Sequence, residues 1–279
     1  MSATPRGAGS NRPGVGDTLR NGLRLAVGTL TALPTAAPTR VDAPVAGWGM
    51  TLAPLAMLPL LLELTALVAL GRWLALSPLV LAAVIVAALA TSNRAIHLDG
   101  LADTCDGLTS GYDRERSLDV LKRGNIGPAG AAAITLTLII EVAALAPLLA
   151  STPGVILAAT TLLGSRHALA WGCRRGVPPA RPGGLGSAVA GTVPGPRVVV
   201  ALLILVGLAT FSYVATGEVR TWPVATVLAA QVLAALIVLR RATTRFGGVT
   251  GDVLGAMVEV SLAVGLVVAA AVVAVPIAG

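Results

Sequence analysis

Apolar runs close to twenty residues long recur along this chain, and they decide the solvent in which it can fold. They lie at roughly 52–70, 74–92, 129–150, 154–172, 198–216, 222–240 and 253–277. A helix rises about 1.5 Å per residue, so each run is about long enough to cross a hydrocarbon core of roughly 30 Å. Composition agrees: 55% of the 279 residues are hydrophobic and 12% are charged, whereas a soluble domain carries about 25% charged residues. A mean hydropathy of +0.85 excludes disorder of the whole chain. The expected fold is all-α, a polytopic integral membrane helix bundle of about seven transmembrane helices. Residues 18–50 are broken by Arg24, Pro34, Pro38, Arg40 and Pro44, and read as a short interfacial or re-entrant helix before the first span. Residues 1–17 are rich in Pro and Gly and lack a basic region feeding an apolar core. They read as a disordered tail, not a signal peptide, ahead of one membrane-embedded domain at 18–279.

The net charge of +7 raises nucleic acid as a partner, but aromatic residues are only 3% of the chain, which leaves few rings for bases to stack on. No nucleic acid is expected. The charge reads instead as orientation. Seventeen Lys and Arg fall in the N-terminal segment and in the loops 93–128, 173–197 and 240–252. The opposite side has only Arg72 and Arg220, and Arg166 lies inside a span. The basic side, with the N-terminus, is therefore expected in the cytoplasm, with any chemistry at that face of the membrane. The lipid bilayer is one partner, and the sequence leaves room for a homo-oligomer. The two cysteines, Cys105 and Cys173, are too few for a disulfide framework and read as reduced thiols.

Acids are scarce, thirteen in all, and six of them lie between Asp99 and Asp119. Asp99, Asp103 and Asp106 are spaced by four and three residues, which on a helix puts them within about 60° of arc. Three like charges on one face repel unless a cation sits among them. Oxygen ligands without His or Cys point to Mg2+ or a similar ion. Asp99 and Asp106 would be about 10 Å apart along the axis, too far for one ion with bonds of about 2.0–2.1 Å. Either two ions bind, or a second helix completes the site. Asp252 and Glu259, seven residues apart at the start of the last span, offer such a helix. His97 falls on the opposite face, at about 160°, and reads as an interfacial or orienting histidine before a metal ligand. Asp113, Glu115 and Asp119 alternate with Arg114 and Arg116 and read as a solvated charge run.

The run His97-Leu-Asp99-Gly-Leu-Ala-Asp103-Thr-Cys-Asp106-Gly-Leu108 resembles the signature of the cobalamin synthase (adenosylcobinamide-GDP ribazoletransferase) family. Further stretches resemble the same family in the same order: Leu30-Thr-Ala-Leu-Pro34, Asp113-Arg-Glu-Arg-Ser-Leu118, Asn125-Ile-Gly-Pro-Ala-Gly130, Ser165-Arg166, Gly184-Leu-Gly186, and Gly248-Val-Thr-Gly-Asp252 with Gly255-Ala256. The likeness runs from about residue 19 to the C-terminus. Two departures stand out: Ala32 where the family has Arg, and Arg123 where it usually has Asp.

The resemblance implies a Mg2+-dependent phosphoryl-group transfer. A hydroxyl of α-ribazole, or of its 5′-phosphate, would attack the phosphate carried by adenosylcobinamide-GDP, releasing GMP and forming adenosylcobalamin or its phosphate. Asp99, Asp103, Asp252 and Glu259 are then expected as metal ligands. Asp106 is expected as ligand or general base, with Asp103 and Asp106 as the catalytic pair. Arg94, Lys122, Arg166, Gly184 and Gly186 are expected to bind substrate phosphates. Arg166 is preferred as a phosphate ligand over a partner of Glu141, since the two differ in depth by roughly 8 Å along their spans. A CDP-alcohol-type phosphotransferase would use similar logic, but Ser110 and Gly111 stand where its Ala-Arg would follow. A cation-coupled transporter would want its acids near the midplane, not at the rim.

Overall fold

The structure, a computed structural model, describes residues 14–111 and 113–274, without the side chains of Lys122 and Arg123. The segment expected as one interfacial helix is two helices, α1 (Val15–Leu30) and α2 (Ala43–Thr51). Asp42 caps α2, accepting from Val45 N at 3.0 Å, and Pro44 sits in its first turn, where a missing N–H costs nothing. Arg40 pairs with both Asp17 and Asp42, and Asn21 Oδ1 accepts from Thr39 N at 2.7 Å, so the proline-rich crossing is tied back onto α1. Because α1 starts at Val15, the expected tail is shorter than 1–17; its residues 1–13 lie outside the described residues.

A single 3-10 turn (Leu55–Met57) leads into α3 (Leu58–Trp73), followed by α4 (Pro78–Ser92). Arg94 and Ala95 then both take left-handed backbone, φ 59° and 53°, a strained pair for residues with a Cβ. That pair makes the corner: α5 (Ile96–Thr109) leaves at 87° to α4. α6 (Arg114–Arg123) is capped by Asp113, which accepts from Glu115 N and Arg116 N at 3.2 and 3.3 Å. α7 (Pro128–Leu148), α8 (Thr152–Gly172), α9 (Gly184–Val189), α10 (Gly195–Val214), α11 (Trp222–Phe246) and α12 (Gly251–Ala274) complete the chain.

Each predicted apolar run overlaps a helix, yet among the described residues only five helices are long and apolar enough to cross a membrane, or six if the bent pair α4–α5 counts as one span. The difference from seven is α8, which has the length but carries Thr160, Thr161, Ser165, Arg166 and His167, all buried. It lies inside the bundle, against α12, α11, α10, α2 and α7, so its polar side chains meet protein. The outer helices do the reverse. Leu62, Leu136, Leu203, Phe211 and Leu233 are exposed, as lipid-facing side chains would be. Two of the expected loops contain further helix, α5 and α6 in one and α9 in the other. The third shrinks to 247–250, because α11 carries Arg240, Arg241 and Arg245 as helical residues.

α12 is the central helix, packed on α11, α8, α5 and α7. Gln231 of α11 knits three of them: its Nε2 donates to Thr161 O at 2.8 Å and to Ser261 O at 3.0 Å, and Ser261 Oγ donates back to Gln231 O at 3.2 Å. Interhelical hydrogen bonds of this kind are worth about 0.6 kcal/mol each on average in a membrane.

Candidate active site

α5 meets α12 backbone to backbone. A Cβ on Gly100 would lie 2.7 Å from the Asp252 carbonyl oxygen, and one on Gly255 would lie 3.2 Å from His97 Cα, so larger residues would wedge the helices apart. The close approach sets the α5 aspartates beside Asp252. Asp103 is buried and within electrostatic range of Asp252, Asp99 and Asp106, and of the guanidinium of Arg181. Asp252 is oriented by Thr250, whose hydroxyl donates to its Oδ2 at 3.1 Å and accepts from Val253 N at 3.2 Å.

The segment before α9 closes the site. Ala180 N donates to Val249 O at 2.9 Å and Val249 N to Pro178 O at 3.0 Å, which lays residues 178–180 along the turn ahead of α12. Arg114 reinforces this, donating from Nε to Phe246 O at 2.8 Å and from Nη2 to Ala180 O at 3.0 Å. Arg114 is therefore a strap, not part of a solvated charge run. The result is a cleft of about 310 Å3 lined by Asp99, Asp252, Arg181, Gly183, Gly184 and Gly186, among others. Gly183 and Gly184 both have positive φ, 81° and 76°, a turn that L side chains resist.

Of the expected site residues, the structure brings together Asp99, Asp103, Asp252, Gly184 and Gly186. It adds Arg181, which sequence reasoning missed, and whose Nη1 is buried without a hydrogen-bond partner. The only hint was position: Arg181 is a lone cation between a Pro-rich stretch and the Gly183–Gly186 run.

Asp106 has a different task from the one expected. Its Oδ2 accepts from Gly127 N at 2.6 Å and its Oδ1 from Gly130 N at 2.9 Å. Both carboxylate oxygens are thus held by the N-terminal turn of α7, where free N–H groups and the helix dipole favour an anion. Asp106 docks α5 on α7, with one accepted bond on each of its oxygens.

Glu259 and Arg166 are also redirected. Glu259 is buried and lies 3.7 Å from His97 (Oε1 to Nδ1), turned away from the cleft. Arg166 is fully buried, hydrogen-bonded to Ser165 Oγ at 2.8 Å, and its charge faces Glu259 and Glu141. The depth difference along the spans did not keep Glu141 out of electrostatic range of Arg166. Arg94 points elsewhere again, donating from Nη2 to Gly28 O at 3.0 Å and tying α1 to the α4–α5 corner. The side chain of Lys122 lies outside the described residues. Cys105 and Cys173 are free thiols, as expected, and burial pushes the Cys173 thiol pKa up, which keeps it unreactive.

Among the described residues no three His, Cys, Asp or Glu side chains converge closely enough to cage a metal. The expected set of five ligands is therefore not assembled as one site. Mg2+ does not require such a cage: it commonly takes one or two carboxylates and completes its shell with water and substrate phosphate. Asp99 and Asp252 on the cleft wall, with Asp103 beside them, fit that donor chemistry.

No solved structure matches the chain. Residues 22–270 match the family model described as cobalamin-5-phosphate synthase. A protein of Nocardioides sp. called adenosylcobinamide-GDP ribazoletransferase is 46% identical over 253 residues, covering 91% of this chain and all of the relative. Relatives of the same name from Frankia casuarinae and Corynebacterium efficiens are 34% and 32% identical, over 91% and 89% of this chain and 96% and 90% of their own. The chain belongs to the cobalamin-5-phosphate synthase family.

Proposed function

We propose that this protein transfers the adenosylcobinamide phosphate of adenosylcobinamide-GDP to α-ribazole, or to its 5′-phosphate, releasing GMP. The observation that carries this reading is the meeting of Asp99 and Asp252 with Arg181, Gly184 and Gly186 on one cleft. Splitting a pyrophosphate needs donors for non-bridging oxygens, and Arg181 with the open backbone at Gly183–Gly186 supplies them. Bound Mg2+, held by Asp99, Asp103 and Asp252, would neutralise charge growing on the phosphate and leaving-group oxygens. The ribazole hydroxyl oxygen forms the new bond to the phosphorus attached to cobinamide, and the bond to the GMP oxygen breaks. Since Asp106 is held by α7, Asp103 is the carboxylate suited to accept the hydroxyl proton. The excess of Lys and Arg in these loops supports a cleft that faces the cytoplasm of a bacterial cell at its cytoplasmic membrane, where the substrates would arrive.

The test is purified protein in detergent with adenosylcobinamide-GDP, α-ribazole and Mg2+. Stoichiometric GMP and a cobalamin product are expected. Absence of both from a well-folded preparation, or uptake of a solute without GMP, overturns the reading.

A further inference from the structure

A second cavity, of about 440 Å3, opens between α2, α3, α8 and α10, apart from the aspartate cleft. Its wall is mostly apolar, interrupted by the hydroxyls of Thr51, Thr160 and Ser212, and its one cation is Arg197. On α10 the lining residues recur at helical spacing, through Arg197, Ala201, Ile204, Leu208 and Ser212. That stripe runs about 22 Å along the helix, close to one leaflet with its headgroup layer, which is half of about 40–45 Å. The groove therefore has the length of one lipid, with a single cation at its headgroup end.

The cation is held in place. The Arg197 guanidinium stacks over the Trp48 ring at 4.0 Å, which fixes it at the mouth of the groove. Arg175 is near enough to repel it electrostatically, and among the described residues neither guanidinium pairs with a carboxylate. The backbone places Arg175 beside the segment that leads into α10, its N donating to Val193 O at 2.8 Å, and two neighbouring cations without an acid favour an anion at the Arg197 end of the groove. We propose that this groove binds an anionic phospholipid, with its phosphate between Arg197 and Arg175 and one acyl chain along α10. A zwitterionic lipid could fill the same apolar wall but would leave the paired cations uncompensated. The lipid would brace α10 against α2, whose Gly47 packs on Thr192 just before α10.

The test uses the full chain in nanodiscs of equal phosphatidylglycerol and phosphatidylcholine, followed by native mass spectrometry of the lipid retained. Phosphatidylglycerol should be retained in preference by about fivefold, the effect of one arginine near a membrane surface. Arg197→Ala should bring that preference close to one, Arg197→Lys should keep part of it, and Ala201→Phe should reduce retention of both lipids by filling the groove. Gel filtration checks that each variant remains a single folded species. Should Arg197→Ala fail that check, Arg175→Ala, on the exposed side of the mouth, reads the same preference. Equal retention of the two lipids, an unchanged preference in both arginine variants, or loss of the preference on adding millimolar inorganic phosphate alone would overturn the proposal. The last result would mean that the arginines hold a free anion.

Discussion

Nδ1 of His97 lies 3.7 Å from Oε1 of Glu259, and both side chains are buried. The pair joins α5 to α12 two turns below Asp252, about 10 Å deeper along the helix. Arg166 of α8 and Glu141 of α7 face the same point. Four helices that carry or support the cleft are thus linked through one polar cluster, and intramembrane charges of this kind persist only when compensated. The histidine faces the bundle core while Asp99 of the same helix lines the cleft. One helix therefore separates the buried charged cluster from the charge on the cleft wall.

That separation makes Glu259 a structural residue. Removing one partner of a buried charged cluster strands the others and costs about 3–5 kcal/mol. Glu259→Ala should lower the thermal midpoint in detergent by that measure. Arg166→Met together with Glu259→Gln should cost less than the two single changes added, because neither leaves the other unpaired. Additive losses would show that the two groups do not interact.

Asp103 and Asp106 are three residues apart and should fail differently. Asp106→Asn leaves an amide where Gly127 N and Gly130 N point at a carboxylate. Losing a charge-assisted acceptor there should cost about 1.5–3 kcal/mol of stability. Activity should fall mainly through lost folded protein. Asp103→Asn should abolish GMP release with a thermal midpoint close to the parent. Parallel melting curves and turnover assays separate the two, and a stable, inactive Asp106→Asn would restore Asp106 to the chemistry.

Arg181 should behave as a transition-state donor. Arg181→Ala should lower kcat/KM by about 100- to 1000-fold, the usual loss for one preorganised donor to developing charge. Arg181→Lys should recover a part of it, since a point charge cannot reproduce the guanidinium fork. The thermal midpoint should hardly move, because Nη1 of Arg181 makes no hydrogen bond among the described residues whose loss would loosen the fold. A loss confined to stability would remove Arg181 from the site.

The helices of this protein are legible in its sequence because lipid demands long apolar runs, and each run overlaps a helix. The aspartate face was legible for the same local reason, a spacing of four and three along α5. What the spacing could not tell is which carboxylate meets another helix. Asp106 met the N-terminus of α7 because Gly127 and Gly130 let that turn approach, a fact about residues more than twenty positions away. Arg166 faces Glu259 and Glu141, which depth along a span could not tell, because depth says nothing about lateral neighbours. Arg181 was invisible for a similar reason: its place depends on Ala180 pairing with Val249 across the fold. Local periodicity fixes faces, and only packing chooses partners.

The sparse donor set predicts how metal and stability are linked. A caged ion stabilises the free protein by mass action, by about 2.7 kcal/mol at a hundred times its Kd. Here no three donors converge among the described residues, so Mg2+ should bind weakly until a substrate phosphate joins Asp99 and Asp252. Chelation by EDTA should therefore abolish GMP release, which added Mg2+ restores, while leaving the melting temperature of the substrate-free protein unchanged. Mg2+ and adenosylcobinamide-GDP together should raise that temperature more than the sum of either alone. In Asp252→Asn, more Mg2+ should be needed for half-maximal turnover. A large rise in melting temperature with Mg2+ alone would reveal a preformed cage and would overturn the shared-ligand reading.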